Sequence, residues 1–277
     1  MHGALGSFCC QIEPRSHGPL GASVARYGLS ACHVVYKTPL DGNPSAVVIC
    51  PGSLDILAAL SREISEIRGK QTTSTALEKI LGWNNTMGRA TDHRLGADDM
   101  GWREDWTILE LSEESAGGND FYDREQLKIA VPGLSEDYQI TAVRDPNFGE
   151  TVFKDGARIG LTEGLVQGED IYAFWKNSIS PAPRRSEAPP QDRPTIVEGR
   201  PRAMWPIGGN AQPVDSGDSG SPVLGMGEGG DVAFLGMVVA MTADEVGFKK
   251  YGLFVPQSQP FRQLRQSTGV EWGVVLS

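Results

Sequence analysis

A serine hydroxyl is a poor nucleophile unless a base touches it and its surroundings can hold an oxyanion. One segment of the 277-residue chain has the residues for both tasks: Asp215-Ser216-Gly217-Asp218-Ser219-Gly220-Ser221-Pro222. A serine in a glycine-flanked turn can expose its hydroxyl while neighbouring backbone N–H groups point into the same space, which is what a tetrahedral oxyanion needs. The base would normally be histidine, and the chain has four: His2, His17, His33 and His93. His33 lies in the apolar, strand-like run YGLSACHVVYK, where an imidazole can be held firmly. His2 sits near the start of the chain, and His17 and His93 fall in polar, glycine-containing segments, so these three read as solvent-exposed. The imidazole needs a carboxylate on its other nitrogen to fix the tautomer. Asp105, at the mouth of the apolar run DWTILEL, is best placed, whereas Asp92, Asp98 and Asp99 read as solvated charges in a polar loop.

The elements that must position these residues are mostly strands. Short β-like runs (ASVARYGLSACHVVYK, PSAVVICP) open the chain, and strand texture resumes at Asp105–Leu111. Between them, SLDILAALSREISEIRGK carries Leu54, Ile56, Leu57, Leu60, Ile64 and Ile67 at helical spacing, and STALEKILGW continues the pattern. Residues 53–83 are thus expected to be a helical insert in an N-terminal β unit spanning 1–115. Residues 98–125 hold ten acidic side chains against Arg103 and Arg124. Within them 116–126 reads as an acidic linker, and the long acidic run as a solvated face. Strand signals then dominate 127–277, interrupted by the Pro-rich, polar stretch 178–194, expected to be a surface loop. QSQPFRQLRQSTG suggests a short helix near the C-terminal end. Many short strands in two halves imply an all-β sandwich or barrel.

Composition narrows the function classes. The formal charge of −10 argues against a nucleic-acid surface, which rests on concentrated Lys and Arg. No apolar run has the length a membrane-spanning helix requires. The first residues lack the basic region and unbroken apolar stretch of a secretory signal, so a cytoplasmic or nuclear location is expected rather than secretion. Cys9, Cys10, Cys32 and Cys50 read as reduced thiols. No paired CxxC with a matching histidine cluster occurs, so neither a metal nor an organic cofactor is expected.

The segments GDSGSP around Ser219, SACHV around His33 and DWTILEL around Asp105 resemble the three signature segments of trypsin-like, chymotrypsin-fold serine peptidases, in that family's His–Asp–Ser chain order. In finer texture the chain is similar to intracellular trypsin-like domains predicted in fungal proteins. The resemblance covers roughly residues 5–50 and 85–275. It implies two packed antiparallel β-barrels, with His33 and Asp105 from the first and Ser219 from the second. It also implies an oxyanion hole from the N–H groups of Gly217 and Ser219. The strand 236–242, with Ala240, Met241 and Thr242, would line the substrate backbone, and 251–256, with Gly252, would close the specificity pocket. At the position where trypsins carry the acid that selects Lys or Arg stands Pro213, so no preference for basic residues is implied. No activation-type N-terminus is visible either, and Asp218 is expected to find a partner other than a freed amino group.

The resulting expectation is a serine endopeptidase acting on polypeptides through an acyl-enzyme on Ser219. The second reading is a catalytically quiet relative serving as a protein-binding or signalling module. Such relatives usually lack one member of the triad, and none is missing here.

Overall fold

The computed structural model describes residues 10–15, 26–35, 47–49, 86–100, 102–111, 129, 131–135, 139–156, 159–167, 171, 173–177, 195–207, 212–215, 217–243 and 250–276. The expected helical insert, acidic linker and Pro-rich loop lie outside these residues, as do Cys9, Cys50, His2 and His17. Among the described residues the chain is mostly strand, with two α-helices, α1 (Cys32–Val35) and α2 (Ser258–Thr268).

The first sheet contains β1 (Cys10–Pro14), β2 (Tyr27–Ser30), β3 (Val47–Ile49), β4 (Thr86–Ala97) and β5 (Arg103–Leu111). Its sixth strand, β15 (Trp272–Val274), comes from the far end of the chain, giving the order β15-β1-β2-β5-β4-β3. The second sheet contains β6 (Ile140–Val143), β7 (Thr151–Gly156), β8 (Gly160–Val166), β11 (Arg202–Pro206), β12 (Pro222–Met226), β13 (Val232–Ala243) and β14 (Lys250–Pro256). Its order, β12-β7-β8-β11-β14-β13-β6, closes into a barrel because β12 also pairs with β13. β6 lies outside the ring and runs parallel to β13; the other ladders of both sheets are antiparallel. A separate hairpin of β9 (Ala173–Asn177) and β10 (Thr195–Gly199) brackets the Pro-rich segment.

Alternation along the strands serves two cores at once. Of the neighbours Val152/Phe153, Met204/Ala203, Val223/Leu224 and Phe254/Leu253, the first of each joins a cluster made of second-sheet residues and Val214. The second of each joins a cluster shared with Leu29, Ala31, Trp106 and Ile108 of the first half. Strands buried on both faces in this way read as near-continuous apolar runs. The shared cluster packs the two sheets against each other.

Candidate active site

His33 owes its position to a change of direction. The ladder between β2 and β5 ends at Ser30 opposite Thr107, and the chain then leaves the sheet. The Val34 N–H donates to the Ala31 carbonyl (3.2 Å), starting the one-turn helix α1. His33 is therefore on a helical turn, not on the strand its apolar neighbours suggest. The ladder places Asp105 two residues before Thr107 on β5, level with that turn.

Both oxygens of the Asp105 carboxylate are engaged by His33. The backbone N–H of His33 donates to Oδ1 (3.0 Å), and ring Nδ1 lies 2.6 Å from Oδ2. Arg103 Nη2 also donates to Oδ2, at 2.8 Å. Burial of Asp105 works against its charge, but the contacts with His33 and Arg103 outweigh burial and hold the carboxyl down to about 2. An ionised carboxylate only accepts hydrogen bonds, so of the two neutral tautomers of the ring it favours the one with the proton on Nδ1 and the lone pair on Nε2. The carboxylate side chain is 3% exposed and the imidazole 32%, so the free edge of the ring is reachable while its support is dry.

The serine segment is built as a turn with two glycines at positive φ, Gly217 at 106° and Gly220 at 86°, where a side chain would be strained. The N–H of Asp218 donates to Asp215 O (3.0 Å), that of Gly220 to Val238 O (2.8 Å) and that of Ser221 to Asp218 O (3.0 Å). Among the described residues the N–H groups of Gly217 and Ser219 have no acceptor. The turn hangs on Val238, whose neighbours Met237 and Val239 line a small cavity together with Arg103, Asp105 and Trp106. Ser219 is half-buried, and no hydrogen bond joins it to His33 among the described residues. The structure brings His33 and Asp105 into contact, and it ties the serine turn to β13 through Val238.

The residues named for substrate contact gather on one side of the second barrel. Met241 pairs with Gly252 across β13 and β14, with Ala240 opposite Leu253 and Thr242 opposite Tyr251. Val214 packs directly on Gly252, where a Cβ would collide with it. Pro213 is buried, and its carbonyl accepts a bond from Thr162 Oγ1 (2.6 Å). Gln212 reaches Met241 Sδ (3.5 Å) and accepts from Lys250 Nζ (3.1 Å). Past a bulge between Val238 and Ala240, β13 pairs with β14 on one side only among the described residues.

Some readings of the polar residues change. Asp98 is not a solvated charge: its side chain is 3% exposed and accepts from the Met100 and Trp102 N–H groups and from Gln263 and Arg262. His93 is half-buried on β4 opposite Thr107 rather than exposed in a loop, and burial pushes its imidazole down. The Cys32 thiol is pushed up to about 12 by burial and then by the charge of Asp105, so it stays protonated and is no competing nucleophile. Arg103 and Lys154 were missed. Arg103 is one charge among many in an acidic stretch, and Lys154 lies in the strand-like ETVFKDG, where nothing in the spacing marks its amine as buried. Among the described residues no three His, Cys, Asp or Glu side chains converge as a metal site.

No family model matches the chain, and no curated protein does. Solved structures do resemble it. A glutamic-acid-specific serine protease shares 14% identity over 96% of this chain and 91% of its own, with a TM-score of 0.46. Protease A of Thermobifida fusca shares 13% identity over 98% and 92%, with a TM-score of 0.48. The Nocardiopsis protease NAPase shares 10% identity over 98% and 94%, with a TM-score of 0.49.

Proposed function

We propose that this protein is a serine endopeptidase. Ser219 Oγ attacks the scissile carbonyl while His33 Nε2 takes its proton. The N–H groups of Gly217 and Ser219 receive the developing oxyanion, and Asp105 holds the imidazolium formed in that step. Collapse returns the proton to the leaving amine and leaves an acyl-enzyme on Ser219, which water hydrolyses by the same route. The observation that carries this reading is the two-point engagement of Asp105 by His33, which leaves Nε2 as an acceptor at the sheet contact. A serine–imidazole bond is often long in the unliganded state and tightens when substrate arrives.

The edge of β13 over Ala240, Met241 and Thr242, unpaired on one side among the described residues, suits an extended substrate backbone, and Pro213 and Gly252 form the neighbouring wall. The substrate is therefore read as a polypeptide. The deciding experiment is labelling with a fluorophosphonate probe, wild type beside Ser219→Ala and His33→Ala. Label on the wild type alone supports the reading. A folded wild type that takes no label overturns it and brings forward the role of a binding module.

A further inference from the structure

The Asp105 side chain is 3% exposed, and a charge taken so far out of water is costly unless a counter-charge meets it. An uncharged imidazole offers the carboxylate a hydrogen bond but no charge. Compensation then comes from one of two sources. A proton drawn onto the ring would occupy Nε2 and disable the base; a fixed cation would leave the lone pair free. The structure supplies a fixed cation. Arg103 stands two residues before Asp105 on β5, so the two side chains leave the same face of the strand. Its Nη2 donates at 2.8 Å to Oδ2, the same oxygen that lies 2.6 Å from His33 Nδ1.

Arg103 is held through its backbone. It pairs with Ala97 of β4, and its carbonyl accepts from Gln259 and Gln263 of α2 (3.2 and 3.1 Å). The other charged groups around the pair are matched elsewhere. From α1 the Cys32 thiol interacts with Asp105, but it is pushed up to about 12 and stays uncharged. Glu104 leaves the opposite face of β5 and interacts with Arg94, Asp98 and Asp99. On β4, Leu95 stands opposite Asp105, and Asp92 and His93 interact with each other. From α2, β13 and β14 the cavity beside Asp105 is lined by Gln259, Pro260, Gln263, Met237, Val239 and Val255, none of them charged. Arg262 of α2 turns to Asp98 (3.4 Å). In the serine turn the Asp218 carboxylate is met by Lys154 Nζ at 2.8 Å, both side chains unexposed. Among the described residues the guanidinium of Arg103 is thus the permanent cation in contact with Asp105.

We propose that Arg103 is a positioning residue for His33, acting through Asp105: its guanidinium is the standing counter-charge of the carboxylate, so the imidazole keeps its Nε2 lone pair at pH values where the carboxylate alone would draw a proton onto the ring. The inference rests on the hydrolase reading above and adds to it a device that extends activity toward acidic pH. The sign follows from the charges. Taking away a cation that shares Oδ2 with the ring leaves the carboxylate free to favour the imidazolium, and the base is then lost at a higher pH.

The test is the acid limb of kcat/KM for an uncharged peptide ester, which reports the free protein's essential base. It is measured for wild type, Arg103→Gln and Arg103→Lys. Arg103→Gln keeps a donor but loses the charge, and the midpoint of its acid limb is expected to rise by about one pH unit, whatever the height of its plateau. Arg103→Lys keeps the charge, and its midpoint should stay close to that of the wild type. Arg103→Met carries the same test as Arg103→Gln if the latter does not fold. An unchanged midpoint in the folded, charge-free variant overturns the proposal even where its plateau is lower, since that is what a merely structural role would give. An equal rise in Arg103→Lys overturns it too, because charge would not be the cause. The His33 ring, assigned by the signals that His33→Ala lacks, is followed against pH by 15N NMR in the same proteins, and its midpoint should rise by the same amount. A raised NMR midpoint in a chain that neither turns over the ester nor takes a fluorophosphonate removes the hydrolase reading and leaves the role of the Arg103 charge. An unchanged one in a chain that does turn over removes that role and leaves the hydrolase.

Discussion

Three donors converge on Asp105, and their removal has separable consequences. Asp105→Asn keeps the shape but loses the charge that holds the Nδ1–H tautomer, and turnover is expected to fall about 10⁴-fold. Steady-state kinetics on a peptide ester checks this; unchanged turnover would move the role to another carboxylate. Ser219→Ala and His33→Ala should each abolish labelling and turnover while leaving circular dichroism unaltered, because such groups act as a unit. The depressed ionisation of Asp105 also links stability to pH. Its folded value of about 2 lies below the usual 3.8, so the stabilisation is complete above about pH 4 and lost as pH falls through about 2. The shift corresponds to roughly 2 kcal/mol. Denaturant melts between pH 2 and 6 should show this loss in wild type and a smaller one in Asp105→Asn.

At the scale of elements, the most consequential is α2. It leaves the second barrel after β14 and crosses to the hairpin of β4 and β5. There the Gln259 and Gln263 side chains donate to the Arg103 carbonyl (3.2 and 3.1 Å), and Gln263 also bonds Asp98 (3.1 Å). Arg94 Nε meets Ser267 Oγ at 3.0 Å on the same face. The helix thus holds the backbone from which Arg103 reaches Asp105. Gln263→Ala removes one donor each from the Arg103 carbonyl and from Asp98 and is expected to cost about 1–3 kcal/mol, together with a reduced kcat. Thermal melts and kinetics on the same preparation check both. The segment QSQPFRQLRQSTG reads as a helix in the sequence, but its docking partner does not, since Gln259 and Gln263 are ordinary surface residues until a specific backbone carbonyl meets them.

For the molecule as a whole, the two halves are tied by more than the site. β15 pairs with β1 in the first sheet, Val274 opposite Ile12, although it follows the second barrel in sequence. One apolar cluster runs from Ile12 and Leu29 through Trp106 to Phe153, Met237 and Leu253. A single cooperative unfolding transition is expected, and calorimetry should give equal calorimetric and van't Hoff enthalpies. Deleting residues 271–277 strips β1 of a partner and should lower the midpoint by several degrees, with labelling lost at a lower temperature than in wild type. Two transitions in the intact chain would mean that the halves fold independently.

Residue type and order alone carried much of this. Alternating and near-continuous apolar runs dictate strands, glycine placement dictates the serine turn, and the need of a serine for a base and of a base for a carboxylate singles out His33, Asp105 and Ser219. The partners that act through burial and distance were left to the tertiary structure. Local pattern cannot show that Lys154 is dry, that Asp98 is walled in by α2, or that Arg103 reaches Asp105. It equally cannot show that β15 returns to the first sheet. Each of these contacts joins segments, or turns a side chain, according to how the two sheets pack, and burial then converts an ordinary charge into one that needs a particular partner.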